Sequence, residues 1–400
     1  MTLFLIVRRS LRQHLFSTLI TAFSIALAGG LLMSVWVVKV QSQSTFTQMN
    51  TGFDAVLGAR GSKLQLVLNA IFHLEASPGN VAYADYEFIK HHPAVKLAVP
   101  IAVGDNLRGY RIVGTDPEFF QAAEYAPGRT FVLRTGRLFN PDAKEAVIGS
   151  FAAERLGLHV GDIFHPFHGL VYDEKNQHAE TYTVTGILAP SNTPVDKVVW
   201  IPLHGLQTMS GHDPRAATDV SAVLIQLRSP TAGFMLDLMY NKQGNRLTFA
   251  YPVGAIMADL FSKISWFDRV LALVAYLVAF VSAIGVLVAI YNSMAARRRD
   301  LAILRALGAG RLMLFSAVVL EAAAIGVLGM AAAFAIYGLI FVGVAEVIRA
   351  QTGILLETWA FNPVMLWAPV GMVLLCGACG LLPAWKAYRT DVASNLAPIS

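Results

Sequence analysis

Hydrophobic positions along this 400-residue chain follow two different rules. Four stretches, 15–38, 270–296, 322–345 and 358–385, hold no charged residue, and each exceeds the ~20 apolar residues a helix needs to cross a hydrocarbon core. They predict transmembrane helices at 15–38, 270–296, 312–345 and 358–385. Residues 39–269, between the first two, alternate over shorter periods. Runs rich in β-branched and aromatic residues at 110–114, 146–149, 181–188, 198–202 and 221–227, bounded by Gly, Pro, Asp or Asn, predict strands. Segments 83–91 and 150–156 between them predict helices. The expected fold class is a membrane protein with four transmembrane α-helices, one plus three, and a large α+β extracytoplasmic domain. The first two spans hold both ends of that domain together. It is therefore expected to have a membrane-proximal part, 39–100 with 221–269, and a second subdomain inserted at 101–220. What remains is an N-terminal helix at 1–14, a basic loop at 297–311, a short loop at 346–357 and a tail at 386–400.

Charge adds a direction. The segments 1–14, 297–311 and 386–400 together hold ten bases against two acids, whereas 39–269 holds twenty bases against twenty-one acids. Positive residues stay on the cytoplasmic side. Both termini and the basic loop are therefore expected in the cytoplasm, and the large domain across the inner membrane, in the periplasm. The formal charge of +5 then reports topology, so no nucleic-acid partner is expected. Charged residues make up 14% of the chain, below the ~25% of soluble domains, which fits the same class. The first span is too long for a signal-peptide core and reads as a retained anchor. Both cysteines, Cys376 and Cys379, fall in the fourth span, so the large domain has no disulfide and depends on its own core. Their spacing matches a redox motif, but the membrane interior does not stabilise a thiolate, so they read as small packing residues.

Candidate chemistry in the large domain is sparse. Asp54, Asp85, Asp116, Asp162 and Asp196 mostly stand beside Gly or Pro and read as turn caps. His165 and His168 flank Pro166-Phe167, a spacing that spoils helical i,i+3 geometry, and no neighbouring acid or thiol completes a ligand set. They read as a solvated loop, and no metal is expected. His91 and His92 read as a helix end, where imidazolium suits the dipole. No Gly-x-Ser-x-Gly elbow supports a hydrolase. The glycines Gly58 and Gly61 invite a phosphate-loop reading, which fails because no Gly-Lys-Ser/Thr occurs anywhere. The apolar residues Leu64, Leu66, Val67, Leu68 and Ile71 that follow predict a helix, either an ordinary core helix or the wall of a path for hydrophobic cargo. No catalytic set emerges, and the chain is expected to be non-catalytic.

Arginines flank a short apolar stripe after the second span. Arg297, Arg298, Arg299, Asp300 and Arg305 accompany Leu301, Ile303, Leu304 and Leu307, with Gly308 and Gly310 stopping the helix before Arg311. A tethered basic helix with an apolar face suits a groove on a cytoplasmic partner; anionic lipid would attract the same charges. The stretch 3–15, with Arg8, Arg9 and Arg12, predicts an interfacial amphipathic helix, serving as a basic anchor or as a partner contact. Glu321 is a carboxylate within a span, best explained by a hydrogen bond to a neighbouring helix, with a proton-linked role as the alternative. Gly326 and Gly329 allow close helix approach.

The segment Arg299-Asp-Leu-Ala-Ile-Leu-Arg-Ala-Leu-Gly-Ala-Gly310, then Glu321, Gly326 and Gly329, and Pro383-Ala-Trp-Lys-Ala-Tyr-Arg389 after the fourth span resemble the permease family of FtsX, LolC, LolE and the membrane part of MacB. In the large domain, Val113-Gly-Thr-Asp-Pro-Glu-Phe-Phe120, Gly136-Arg-Leu-Phe139 and Leu156-Gly-Leu-His-Val-Gly-Asp162 add to it. The resemblance implies a dimer, here a homodimer, whose segment 297–311 binds a separate ABC ATPase. That partner would carry the ATP and Mg, with no cofactor in this chain. It also implies movement of the periplasmic domain to export or extract a hydrophobic or amphipathic substrate, with a membrane-fusion or accessory protein as a further partner. The other reading is a signal relay to a periplasmic hydrolase or sensor, without transport.

Overall fold

In a computed structural model, residues 3–48, 52–126, 128–211, 217–296, 303, 308–357 and 361–388 are described. They fall into two compact units, one of residues 1–41, 264–344 and 357–400, the other of 42–263 and 345–356.

The first unit is helical. Among the described residues, four helices are long and apolar enough to cross a membrane: Leu15–Gln48, Val253–Ala296, Arg311–Thr352 and Val364–Tyr388. The first three run past the predicted limits, the third as far as Gly353, whose positive φ breaks the helical ladder, whereas the fourth begins inside its predicted start at 358. Large apolar side chains on them, among them Phe16, Leu339 and Leu382, face outward, as suits helices solvated by lipid. Small residues let backbones approach. A Cβ on Gly329 would come within 2.6 Å of Ile25 Cβ, so Gly329 is what allows the first and third long helices to touch. At Gly326 the same test meets Cys376 Cβ at 3.1 Å, so the cysteine is packing material for the third helix. The N-terminal helix Leu3–Gln13 is amphipathic as expected, with Ile6, Val7 and Ser10 buried.

The second unit is a three-layer α/β/α structure. Its strands are β1 (Ala55–Ala59), β2 (Val95–Leu107), β3 (Tyr110–Thr115), β4 (Glu124–Ala126), β5 (Arg129–Thr130), β6 (Leu133–Gly136) and β7 (Glu145–Ile148). They continue as β8 (Ile163–Phe164), β9 (Phe167–His168), β10 (Tyr182–Leu188), β11 (Val199–Pro202), β12 (Ala222–Leu227) and β13 (Leu247–Ala250). The main sheet is ordered β13-β1-β12-β2-β3-β11-β7-β10-β6, with β8 on β10 and β9 on β2. Pairs β3·β11 and β7·β10 are parallel and the rest antiparallel.

Both faces of this sheet are covered, which explains why its strands read as continuous apolar runs. The two-residue period sends Ala55, Val223, Ile225, Ile112, Val199 and Ile201 to one face and Val56, Leu224, Val113 and Trp200 to the other. Helices Tyr83–Lys90, Ser150–Leu156 and Leu203–Gln207 cover the first face through Tyr86, Ile89, Ala152, Leu203 and Leu206. Helices Lys63–Ala70 and Glu118–Ala122 cover the second through Leu66, Val67, Phe119 and Phe120.

The expected boundary at residue 101 marks a change of strand partner. β2 pairs with β12 from Val95 to Ile101 and with β3 from Ile101 to Leu107, so one 13-residue strand joins the two segments. Each hydrophobic cluster draws on both segments. The core is divided by sheet face, because the inserted strands extend the existing sheet instead of founding a second one.

Candidate functional site

Three of the four long helices contribute their ends to the sheet unit: residues 42–48 of the first, 253–263 of the second and 345–352 of the third. The first two ends, and Ile354 in the strap after the third, add side chains to one sheet face. Phe46 packs on Phe72 and Phe261 with ring centroids 5.5 and 5.8 Å apart. Val253 and Met257 are buried in that core, with Ile256, Leu260 and Phe261 packed against it. Ile354, just past the third helix, is fully buried there as well.

The third helix end is also held by polar contacts. Glu346 pairs with Arg155, and Arg349 with Glu154 at 3.1 Å. Both arginines lie over the Phe151 ring, at 5.3 and 5.0 Å from its centroid. Gly353 ends the helix at φ +78°, where a Cβ would fall 2.9 Å from Lys197 Cβ. Lys197 Nζ donates to Gln351 O at 2.5 Å. The Asn192 side chain then brackets Leu355, donating to its carbonyl at 3.2 Å and accepting from its N–H at 2.6 Å. Asn192 itself sits at φ +57°, a conformation asparagine tolerates, and Asp196 holds it by accepting from the N–H groups of Ser191 and Asn192. Burial raises the Asp196 pKa and lowers that of Lys197, with Arg111 adding to the latter.

Charge pattern carried a signal for this joint. Glu346 and Arg349 stand one turn apart beyond the third apolar stretch, on one helix face. The short loop expected at 346–357 is instead mostly helix end and docked strap, because the helix continues to Thr352.

The cargo-facing reading of the 64–71 segment is corrected. Leu66, Val67 and Ile71 are sealed in the core, and Leu64 and Leu68 pack against it, so this helix fills the second face. Beside it, His73 packs edge-on to Trp200 at 5.8 Å, and burial together with the Arg111 charge lowers its pKa to about 3. Asp54, Asp162 and Asp196 each accept backbone N–H groups, and Asp85 pairs with Arg246.

Of the basic segment, Arg297, Arg298, Arg299, Asp300, Leu301, Leu304, Arg305 and Leu307 lie outside the described residues. Ile303 is helical and exposed, Gly308 has φ +97°, and Arg311 opens the third long helix with its guanidinium 5.8 Å from the Tyr388 ring centroid. Within the helical unit, Glu321 accepts a hydrogen bond from the buried Ser10 of the N-terminal helix. A groove of about 550 Å³ runs beside that contact, walled by Leu3, Phe4, Val7 and Leu11 against Leu320 and Ala324, with Arg8 and Arg12 also lining it.

Two family models match the chain: the MacB-like periplasmic core domain over residues 18–233 and the FtsX-like permease C-terminal region over 272–392. Among solved structures, the extracellular domain of the noncanonic ABC-type transporter YknZ from Gram-positive bacteria is similar at 17% identity. The match covers 48% of this chain and 97% of that one, with a TM-score of 0.31. The periplasmic region of MacB from Actinobacillus actinomycetemcomitans is similar at 11% identity, covering 53% and 93%, with a TM-score of 0.35. No curated protein matches.

Proposed function

We propose a function from one premise: the chain belongs to the MacB/FtsX-like permease family of ABC transporters. Members of this family work with cytoplasmic ABC ATPases. In our reading this chain is the non-catalytic membrane subunit, crossing the inner membrane four times with both termini and residues 297–311 in the cytoplasm. A separate ATPase chain binds ATP and Mg and docks on Arg297–Arg299, Arg305 and the apolar stripe between them. Two copies of the permease form a homodimer, with a membrane-fusion or accessory protein engaging the periplasmic domain.

The observation that carries this reading is the attachment of three long helices to one sheet unit, the first two by apolar ends and the third by ion pairs and Ile354. A helix is stiff along its axis, so a displacement at one end reaches the other with little loss. Val253, Met257, Phe46 and Ile354 would pass such displacements to the sheet through packed contacts. ATP-driven closure of the ATPase would thus be converted into movement of the periplasmic domain, which expels or extracts a hydrophobic or amphipathic substrate. Reversing the charges at Arg298, Arg299 and Arg305 to Glu is expected to abolish co-purification of a cytoplasmic ABC ATPase. Full retention of that ATPase by the triple variant would remove the docking assignment.

A further inference from the structure

Asp105, His168 and His178 bring one donor atom each to within 4.8 Å of one another, although they are distant in sequence. His178 Nε2 lies 3.2 Å and His168 Nδ1 3.3 Å from Asp105 Oδ1. Donor atoms bound at ~2.0–2.2 Å around a tetrahedral zinc ion stand about 3.3–3.5 Å apart, so these two spacings are close to those of a zinc shell.

Backbone pairing sets the arrangement. Asp105 and His168 are register partners across β2 and β9, and the bridge between Phe167 and Gln177 brings His178 alongside. The His178 N–H donates to Pro166 O at 2.9 Å. Neighbouring Asn106, fully buried, donates to the carbonyl of Gly169 at 2.9 Å, and Phe167 O and Val171 O lie 3.4 Å from the same nitrogen. The loop bearing His168 is thereby fixed to the strand bearing Asp105. Preorganisation of this kind lets donors converge without paying for ordering at each binding event.

Burial and chemistry select the ligand. The Asp105 and His178 side chains are 0% and 4% exposed, whereas His168 is 52% exposed, so the cluster is enclosed on two sides and reachable on the third. Two imidazoles with one carboxylate suit zinc and its neighbours in the transition series; calcium and magnesium prefer all-oxygen shells. We propose that Asp105, His168 and His178 form a site for a divalent transition metal of the zinc type, with water or another donor completing the shell. The proposal departs from the solvated-loop reading for His168; His165, by contrast, places Nδ1 3.1 Å from Glu180 O and stays outside the cluster.

The site goes beyond the transport reading and is independent of ATPase docking. Full-length protein carrying a tag without histidines is purified in detergent, stripped with chelator and equilibrated with Zn²⁺ alone. Wild type is expected to retain one zinc per chain, and X-ray absorption to show N/O neighbours at about 2.0–2.1 Å. His168→Ala, at the half-exposed position where folding is least at risk, should bind at least about tenfold more weakly. His178→Ala should do the same, His168→Cys should restore binding with a sulfur neighbour, and His165→Ala should bind as wild type. Wild-type protein that takes up no zinc, or zinc retained equally by His168→Ala and His178→Ala, overturns the proposal and leaves a hydrogen-bonded Asp-His network.

Discussion

The first and second long helices meet the sheet through apolar side chains, Phe46 for one and Val253 with Met257 for the other, whereas the third adds two ion pairs and an asparagine clamp. The two kinds of joint differ in what they resist. Apolar burial is strong and non-directional, so it keeps the ends attached while tolerating small rotations. Hydrogen bonds and bidentate amide contacts specify position and angle at a smaller net energy each. The first two helix ends are therefore held in the sheet unit by burial, and the third is fixed there in position and angle by directed contacts.

The contrast breaks most visibly at Met257. It is 2% exposed, and Met257→Ala is expected to destabilise by about 2–5 kcal/mol, the range for truncating a buried methionine. Thermal unfolding of the full chain reads this directly, and a shift no larger than that of an exposed apolar residue such as Phe234 would show that the second helix end does not anchor the domain.

Acid tests the ground between the two joints. His73 follows the helix that fills the second face, and Lys197 of the third-helix clamp contributes to its electrostatics. Its folded pKa of about 3 lies below the unfolded value near 6.5, so the unfolded chain takes up a proton that the folded chain refuses. Stability is thus fully present above about pH 6.5 and falls as the pH drops toward 3, by at most about 1.4 kcal/mol per unit from this group. His73→Gln should flatten that slope. A variant whose unfolding profile between pH 6.5 and 4 parallels wild type would assign the acid sensitivity elsewhere.

Gly353 sharpens the polar side. A side chain there meets both a left-handed backbone and the Lys197 side chain, so Gly353→Ala is expected to destabilise by roughly 1–2 kcal/mol. Gly343, in the same helix with nothing within 4 Å of its Cβ position, serves as control, since alanine there is expected to be neutral or mildly stabilising. Equal shifts at the two positions would mean that the third-helix end is loosely held.

Most of the secondary structure was legible because the physics was local. Uncharged runs marked the four long helices, and β-branched runs bounded by turn residues marked β3, β7, β10, β11 and β12. β1 and β13 escaped because Ala55–Ala59 and Leu247–Ala250 are short and weakly patterned, and gain stability from pairing in the sheet, β1 between β12 and β13 and β13 at its edge. β2 escaped because Pro100 and Gly104 interrupt a strand whose two halves have different partners. Leu66 and Val67 looked equally suited to a core or a cargo wall, since composition does not say which surface covers a helix. The clamp and the Asp105 cluster unite residues 163 and 73 positions apart, a proximity that only the folded sheet creates.

The ion pairs of the third helix are the smallest expected stability effect and, on the transport reading, the sharpest test of coupling. Arg155 and Glu346 are about half exposed and Glu154 is 64% exposed, so Arg155→Ala or Glu154→Ala is expected to change stability by only about 0.2–1 kcal/mol. Coupling responds to geometry as well as to strength. On the transport reading proposed above, with one pair removed the helix end would stay in its core through Ile354 but rotate about it, blurring any displacement delivered to β11 and the 191–197 turn. The double variant Arg155→Ala/Arg349→Ala, reconstituted with its ATPase, is therefore expected to keep ATPase binding and thermal stability while losing most substrate-stimulated turnover. Restoring opposite polarity, with Arg155→Glu beside Glu346→Arg, should recover part of it. Turnover unaffected in the double variant would place the transmission entirely in the apolar joints, and the third helix would be a passive support.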